Sequence, residues 1–310
     1  TNYILDCVNS LLKQQKILIA GRSGIIGSDL FNILRDSYKI ISLDYNSNIL
    51  EDDFFHLDLS NRADVIKFSE KSPKCDALIF LVGLAHKKGK GKEYDEFNLI
   101  NKQTLINLLS SLDEKNKLPD KIIFTSTISI YGEKISQDTY YEDSPKSPFS
   151  PYAITKLEAE EFLLKNYETR SWVLRFSPVY APNFQLNIKR RTRIFNSFYR
   201  VGDGENKLSL CNLKNISHVI SGILEEKIPA GTYNVSDKNE YSYNDLLKYM
   251  NAKWVLYIPS FFMKLLYYLG KLIDSIFFKE NVTKLISDNI FPSDKIRRYI
   301  DLPSTLNDSR

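Results

Sequence analysis

The sequence predicts an α/β fold, a doubly wound parallel sheet followed by a smaller mixed C-terminal lobe, and three observations carry that prediction. Short β-branched runs alternate with longer helical patterns as far as Ser177; spaced glycines join the first run to the first helix; beyond Ser177 the alternation gives way to a mixture. Repeated β-α-β units close by right-handed crossovers into a parallel sheet covered on both faces. Strands buried on both faces read as nearly unbroken apolar runs.

The predicted strands are KILIAG (16–21), KIISLD (39–44), DFFHLDL (53–59), DALIFLVG (76–83), KIIFTST (121–127) and SWVLRFS (171–177). Each is short and rich in β-branched or aromatic residues. Between them IIGSDLFNILRDS (25–37), NRADVIKFSEK (61–71), EYDEFNLINKQTLINLLSSL (93–112) and SPYAITKLEAEEFLLKNY (150–167) carry apolar residues at helical spacing. Beyond Ser177 the pattern predicts a loop over PVYAPNFQLNIKRRT, a helix, a short strand at KLSLC, a helix at NISHVISGILEE, a strand at TYNVSD and helices to the end. KKGKGK (87–92) and EKISQDTYYEDSPKSPFS (133–150) read as mobile loops.

The chain of 310 residues suffices for one large domain with a smaller lobe. Its net charge of +4 comes from lysines scattered among nearly as many acids, so no nucleic-acid partner is expected. Cys7, Cys75 and Cys211 share no metal spacing and form no even framework, which predicts no metal and a reducing compartment. The opening TNYILDCVNSLLKQQK lacks the features of a signal peptide, so a cytoplasmic location is expected. The most apolar stretch, 254–278, is interrupted by Pro259, Lys264, Lys271 and Asp274 and is not expected to span a membrane. Its positions Phe261, Leu265, Tyr268, Leu272 and Ile276 repeat at helical spacing. That predicts a core or subunit-contact helix in preference to a membrane-surface helix.

Function begins at ILIAGRSGIIGSDL, where Gly21, Gly24 and Gly27 lie between the first strand and first helix. Gly21 can make a tight turn, Gly24 lets backbone approach a diphosphate, and Gly27 lets helix and strand pack closely. Free N–H groups of Ile25, Ile26 and Gly27 at the helix start would meet the anion. Asp44, closing the second strand, can accept hydrogen bonds from an adenosine ribose and would repel a 2′-phosphate, favouring NAD over NADP. Arg22 is the feature that would favour NADP. Asp58 and Leu59, closing the third strand, are placed to cover adenine, although a plain strand-end aspartate is the competing reading. The expected division is a Rossmann-type NAD-binding domain over 1–176, with 212–237 returning to it, and a substrate-binding lobe over 177–310.

Tyr152 and Lys156 stand one helical turn apart, but the same spacing recurs at Tyr249/Lys253 and Tyr267/Lys271. Only the first copy lies downstream of a hydroxyl run, Thr125, Ser126 and Thr127, at the carboxyl edge of a strand. Moving hydride from a carbinol to NAD needs a base for the hydroxyl proton, and a phenol with pKa about 10 is a poor one at neutral pH. A nearby ammonium and the nicotinium charge would favour phenolate.

On GRSGIIG, LVGLAH, NLINKQTLINLL, TSTISIYGE, SPYAITKLEAE, LRFSPVYAPN and GTYNVSD, in that order, the chain resembles the extended short-chain dehydrogenase/reductases, in their nucleotide-sugar epimerase/dehydratase branch. The resemblance implies Tyr152 as acid/base, Lys156 on the nicotinamide ribose, and Thr127 holding the substrate oxygen. It places Val82, Gly83 and Asn98 on the cofactor, and Asn183 on the sugar or diphosphate. It also implies a homodimer through the helices holding 98–109 and 152–167. Dehydratases of this family follow the threonine with Asp-Glu, where this chain has Ile128 and Ser129; other relatives carry Glu or Cys at the position of Ser129. Relatives commonly carry Asn where Ser177 stands.

What remains is oxidation and reduction at one carbon, most naturally C4. A UDP-sugar 4-epimerase for surface-polysaccharide sugars is expected first, and a 4-keto reductase or 4-dehydrogenase of the N-acetylquinovosamine type second. A non-catalytic dinucleotide sensor and a reductase of apolar ketones are the readings of other classes. Lys189, Arg190, Arg191 and Arg193 in NIKRRTRIF would pair the substrate diphosphate, with a solvated basic helix face as the competing reading. His86 could face the nicotinamide end of the cleft; His56 and His218 are expected to be structural.

Overall fold

The computed structural model describes residues 14–45, 49–51, 53–85, 93–132, 134, 138–273 and 282–309. Its strands are β1 (Lys16–Ala20), β2 (Lys39–Asp44), β3 (Phe54–His56), β4 (Ala77–Phe80), β5 (Lys121–Thr127), β6 (Ser171–Phe176), β7 (Val179–Tyr180), β8 (Arg193–Ile194), β9 (Ser197–Val201), β10 (Lys207–Leu208), β11 (Cys211–Asn212), β12 (Gly231–Val235), β13 (Tyr241–Ser242) and β14 (Val255–Ile258). Seven form one sheet in the order β12-β6-β5-β4-β1-β2-β3. The pairings from β3 through β2, β1 and β4 to β5 are all parallel. The strand order reverses between β1 and β4, and an open α/β sheet leaves a crevice beyond the strand ends at such a point.

The helices are α1 (Ile25–Leu34), α2 (Arg62–Lys71), α3 (Glu93–Asn98), α4 (Thr104–Glu114), α5 (Pro151–Tyr167), α6 (Leu186–Thr192), α7 (Leu213–Leu224), α8 (Tyr243–Tyr249), α9 (Ser260–Leu272) and α10 (Asp294–Arg297). A π-helical turn, Leu99–Gln103, joins α3 to α4. The chain divides into two compact units, Thr1–Thr125 with Glu158–Trp172, and Ser126–Leu157 with Val173–Arg310.

In the first unit Ile17 to Ala20 and Ala77 to Phe80 are buried, as a doubly covered sheet requires. Leu30 and Leu34 of α1, Val65 and Phe68 of α2, and Leu105, Leu108, Leu109 and Leu112 of α4 are buried too. α2 starts where Asn61 accepts from Ala63 N–H at 3.2 Å. Its C-terminal carbonyls meet a cation: Lys117 Nζ donates to the carbonyls of Ser69, Glu70 and Ser72 at 2.7–2.8 Å.

The second unit has aromatic-rich cores and one fully engaged buried carboxylate. Tyr180 and Tyr241 hydroxyls donate to Asp237 Oδ2 at 2.6 and 2.9 Å, while Asn212 N–H and Asn215 Nδ2 donate to Oδ1 at 2.7 and 2.8 Å. Tyr241 in turn accepts from Leu306 N–H at 2.9 Å, so Asp237 joins β7, β13, the start of α7 and the C-terminal segment. Burial lifts Asp237 to about 6 despite these donors.

Three expectations are corrected here. The residues 193–201, expected to be helical, form the antiparallel hairpin β8–β9. Tyr199 and Val201 are both buried, two residues apart, a spacing one strand face satisfies and one helix face does not. The helix lies earlier, at Leu186–Thr192 inside the expected loop.

The stretch 138–150 is pinned instead of mobile. Tyr140 is buried and stacks on Phe291 at 5.3 Å, and its N–H donates to Ile290 O at 2.9 Å. KKGKGK, His86, Cys7 and Ile276 lie outside the described residues.

The third concerns α9. Met263 and Gly270 are its buried positions and Tyr267 is half-buried, whereas Phe261, Leu265, Tyr268 and Leu272, expected to pack, are exposed. Periodicity found the helix, but an all-round apolar sequence does not say which stripe meets the core.

Asp237→Asn is expected to destabilise the protein by about 1–3 kcal/mol in urea unfolding, because the new amide offers Tyr180 and Tyr241 donors where they need an acceptor. The native carboxylate binds its proton near pH 6, above the ordinary value of about 4 kept by the unfolded chain. Wild-type stability from this group therefore rises as pH falls through that window, and the gap to the variant widens between neutral pH and the lower limit.

Candidate active site

In the first unit the chain leaves β1 into a turn only glycine can make. Gly21 has φ +90, and a Cβ there would lie 3.1 Å from the backbone of Leu81 and Val82. A Cβ on Gly27 would fall 2.4 Å from the Gly21 carbonyl and 2.8 Å from Arg22 Cα. Gly24 N-caps α1 without a side-chain hydrogen bond, so no side chain competes for the N–H groups of Ile25, Ile26 and Gly27. Such an uncapped helix start, beside a turn with glycine at both ends, fits a dinucleotide diphosphate.

Asp44 is fastened to this turn. Its Oδ2 accepts from Ser23 N–H and its Oδ1 from Tyr45 N–H, both at 2.8 Å, and each oxygen keeps a lone pair for a ribose hydroxyl. Arg22 is engaged by α1: its guanidinium lies 3.7 Å over the Phe31 ring, and burial lowers its pKa. Asp58 Oδ1 is taken up by Ser60, accepting from its N–H at 2.9 Å and its hydroxyl at 2.6 Å, the strand-end role that competed with adenine contact. Leu59 is buried, and its carbonyl accepts from Asn107 of α4 at 3.0 Å.

After β4, Val82 is half-buried and Gly83 exposed. Their successor Leu84 is clamped by Asn101, which accepts its N–H at 2.7 Å and donates to its carbonyl at 3.3 Å. Asn98, the residue singled out from sequence, ends α3 with a buried Oδ1 that has no hydrogen-bond partner among the described residues. Asn101 was missed because the π turn shifts the helix register, which a period of 3.6 does not anticipate.

The second unit holds the hydroxyl, phenol and ammonium together. Thr127 ends β5 in extended conformation, and its Oγ1 accepts from Ser129 N–H at 3.2 Å. α5 starts where Ser150 Oγ accepts from Ala153 N–H at 3.3 Å, with Pro151 as its first residue. That start brings Tyr152 into a hydrogen bond with Thr127, and Lys156 follows one turn on, 3% exposed. Burial pushes the Tyr152 hydroxyl above its ordinary value, and the Thr127 hydrogen bond opposes the rise. The expected lowering is thus corrected for the chain alone: taking phenolate out of water outweighs the hydrogen bond.

The turn after Thr127 is locked from behind. Arg175 Nη1 donates to the Tyr131 hydroxyl at 2.8 Å and to Glu142 O at 2.9 Å, and Tyr131 donates to Asn234 Oδ1 at 2.7 Å. Gly132 has φ +61, and a Cβ there would lie 1.8 Å from Ser147 O. Ser177, where relatives carry Asn, has a buried Oγ with no partner among the described residues.

Beside this turn lies a small, open depression with Ile128 on one wall and Arg191, Lys284, Tyr243, Ser209 and Asn289 among the others. Arg191 is half-buried, steadied by Asn187 O at 2.9 Å. Arg190 and Asn183 are exposed and do not line this depression. Lys284 was missed because nothing in TKLISDN marks it; only folding brings it opposite Arg191. The two described cysteines are buried thiols: burial raises Cys75 to about 12 and Cys211 well above its usual value. No group of metal-ligating side chains occurs among the described residues.

Residues 17–235 match the NAD dependent epimerase/dehydratase family. The chain belongs to that family, and NAD is its cofactor. It is 26% identical over 269 residues, 83% of this chain and 77% of the relative, to the N-acetyl-alpha-D-glucosaminyl-diphospho-ditrans,octacis-undecaprenol 4-epimerase of Escherichia coli O157:H7. It is 28% identical to the uncharacterized UDP-glucose epimerase YtcB of Bacillus subtilis, over 54% of this chain and 57% of the relative, little more than half of each. The fold matches the crystal structure of UDP-glucuronic acid 4-epimerase from Bacillus cereus in complex with NAD, with TM-score 0.70, 20% identity and coverage of 95% of this chain and 94% of that one.

Gly27→Val is expected to weaken NAD retention about 10- to 100-fold through the clash with Gly21, read as NAD released per chain on denaturation. Unchanged NAD content would remove this turn from cofactor binding.

Proposed function

We propose that the protein is a 4-epimerase of a UDP-sugar, oxidising C4 to a ketone and returning the hydride to the opposite face. The observation that carries the proposal is the bare constellation around Tyr152: its hydroxyl on Thr127, Lys156 one turn away, and Ile128 and Ser129 where an eliminating or proton-shuttling group would stand. NAD, when bound, accepts and returns the hydride. Gly21, Gly24 and Gly27 admit its diphosphate, Asp44 receives the adenosine ribose, and Lys156 the nicotinamide ribose. Val82, Gly83, Asn98, Asp58 and Leu59 complete the cofactor contacts.

Thr127 holds the C4 hydroxyl, and Tyr152 takes its proton and gives it back. Lys156, buried and cationic, opposes the upward pressure of burial on the phenol and keeps it usable as a base. Arg191 and Lys284 meet the substrate diphosphate in the second unit's depression. Sugar chemistry of this kind is supported by two relatives named as epimerases, one of a UDP-sugar and one of a diphospho-linked sugar, while others are named dTDP-D-glucose 4,6-dehydratases.

The decisive experiment identifies the dinucleotide released from the purified protein and tests UDP-sugars without added cofactor. Bound NAD with interconversion of C4 epimers supports the epimerase. An empty protein that turns over only while consuming supplied NAD(P)(H) makes it the 4-keto reductase or dehydrogenase.

Tyr152→Phe is expected to lower kcat by about 10²–10⁴ while NAD is retained, measured by steady-state turnover and cofactor release. Lys156→Met should move the low-pH limb of kcat to higher pH, because losing a cation makes the phenol harder to ionise. Arg191→Gln with Lys284→Gln should raise KM for the UDP-sugar at least about tenfold with little change in kcat.

A further inference from the structure

α9 is attached by one narrow stripe. Met263 packs with Tyr199, Val201 and Val282, and Tyr267 reaches the same cluster four residues on. The rest of the circumference is apolar and open: Phe261 is 62% exposed, Leu265 53% and Leu272 82%. A helix serving only to cover a core carries polar residues on that side. β14 precedes it through Pro259, pairs only with β9 along one edge, and is exposed from Val255 to Tyr257; Trp254, just before it, is 89% exposed. A contiguous apolar surface of this kind marks an interaction site.

The chemistry of the segment selects the occupant. From Leu246 to Ile273 the sequence carries Lys248, Lys253, Lys264 and Lys271 and no Asp or Glu. Trp and Tyr settle at the level of lipid headgroups, and lysines extend past apolar side chains to reach phosphates. A second copy meeting this face by two-fold symmetry would bring the same lysines and no carboxylate from this stretch to answer them. An anionic bilayer supplies the opposite charge and an apolar phase together. α9 is 13 residues long, too short for the roughly 30 Å hydrocarbon core. No helix among the described residues is long and apolar enough to cross a membrane, so the contact is one of lying on the surface.

We propose that β14 and the open side of α9 dock the protein onto an anionic lipid bilayer. Trp254 enters the headgroup layer, Phe261, Leu265 and Leu272 reach the acyl boundary, and Lys253 and Lys264 pair with lipid phosphates.

The test is co-sedimentation of the full chain with phosphatidylcholine vesicles containing or lacking phosphatidylglycerol, without sugar substrate. It is therefore independent of the proposed reaction. Wild type is expected to sediment with the anionic vesicles and to release as salt rises. Trp254 fluorescence should shift to the blue; the other tryptophan, Trp172, is already buried and gives no such change. The triple variant Trp254→Ser/Phe261→Ser/Leu265→Ser should lose at least about tenfold in partitioning, with NAD content and circular dichroism unchanged because all three side chains are exposed. Lys253→Glu/Lys264→Glu should lose about tenfold at low salt. Failure to sediment, equal sedimentation with neutral vesicles, or a triple variant that binds like wild type overturns the proposal. A dimer in wild type that disappears in the triple variant, without vesicle binding, would assign the face to a second copy instead.

Discussion

The second unit is organised around a buried cation. Arg175 is 1% exposed within β6, and a guanidinium cannot shed its charge at neutral pH, so its surroundings must supply acceptors. They do so from segments far apart in sequence: the Tyr131 hydroxyl, the Glu142 carbonyl and, through Tyr131, Asn234 of β12. Asn234 closes the circuit, donating its N–H to Glu142 Oε1 and its Nδ2 to Tyr140 O. Rings of Tyr131, Tyr140 and Phe291 stack around it, excluding water from these bonds. Thr127 stands four residues before Tyr131, so the hydroxyl that meets Tyr152 inherits its position from this network.

Asp237 plays the complementary part with the opposite charge. Each of its oxygens takes two donors, so the segments that supply them can be buried without leaving a polar group unpaired. Polar burial is not complete everywhere: Asn98 Oδ1 and Ser177 Oγ are among several buried atoms, Ser72 Oγ and Ser111 Oγ included, that have no hydrogen-bond partner among the described residues.

The groups proposed to react are few, a threonine hydroxyl, a phenol and an ammonium, and their sparseness is informative. Ile128 is buried and Ser129 gives its N–H to Thr127, so neither offers an acid or base for elimination. A site limited to one proton relay suits hydride removal and return at a single carbon. The exposed apolar surface of α9, built from aromatic and aliphatic side chains with Lys264 among them, plays no part in the proposed chemistry.

Local signals made much of this legible. The strands and helices of the first half follow from runs of β-branched residues and from helical periodicity, and Gly21, Gly24 and Gly27 announce their turn because only glycine tolerates its backbone angles and close contacts. The pairing of Tyr152 with Lys156 is equally local, one turn of one helix. Tertiary structure alone decided the rest. Helical periodicity located α9 but not its packed stripe, since apolar residues surround it. The helix expected over 193–201 gave way to a hairpin, in which Tyr199 and Val201 meet Met263. Arg191 differs from Arg190 only by which side of α6 faces the depression, and Lys284 faces Arg191 across nearly a hundred residues of chain. The sequence by itself determined what depends on backbone sterics and short-range period; burial, partners and pKa were decided by the fold, because they are set by neighbours that the chain brings together only when it closes.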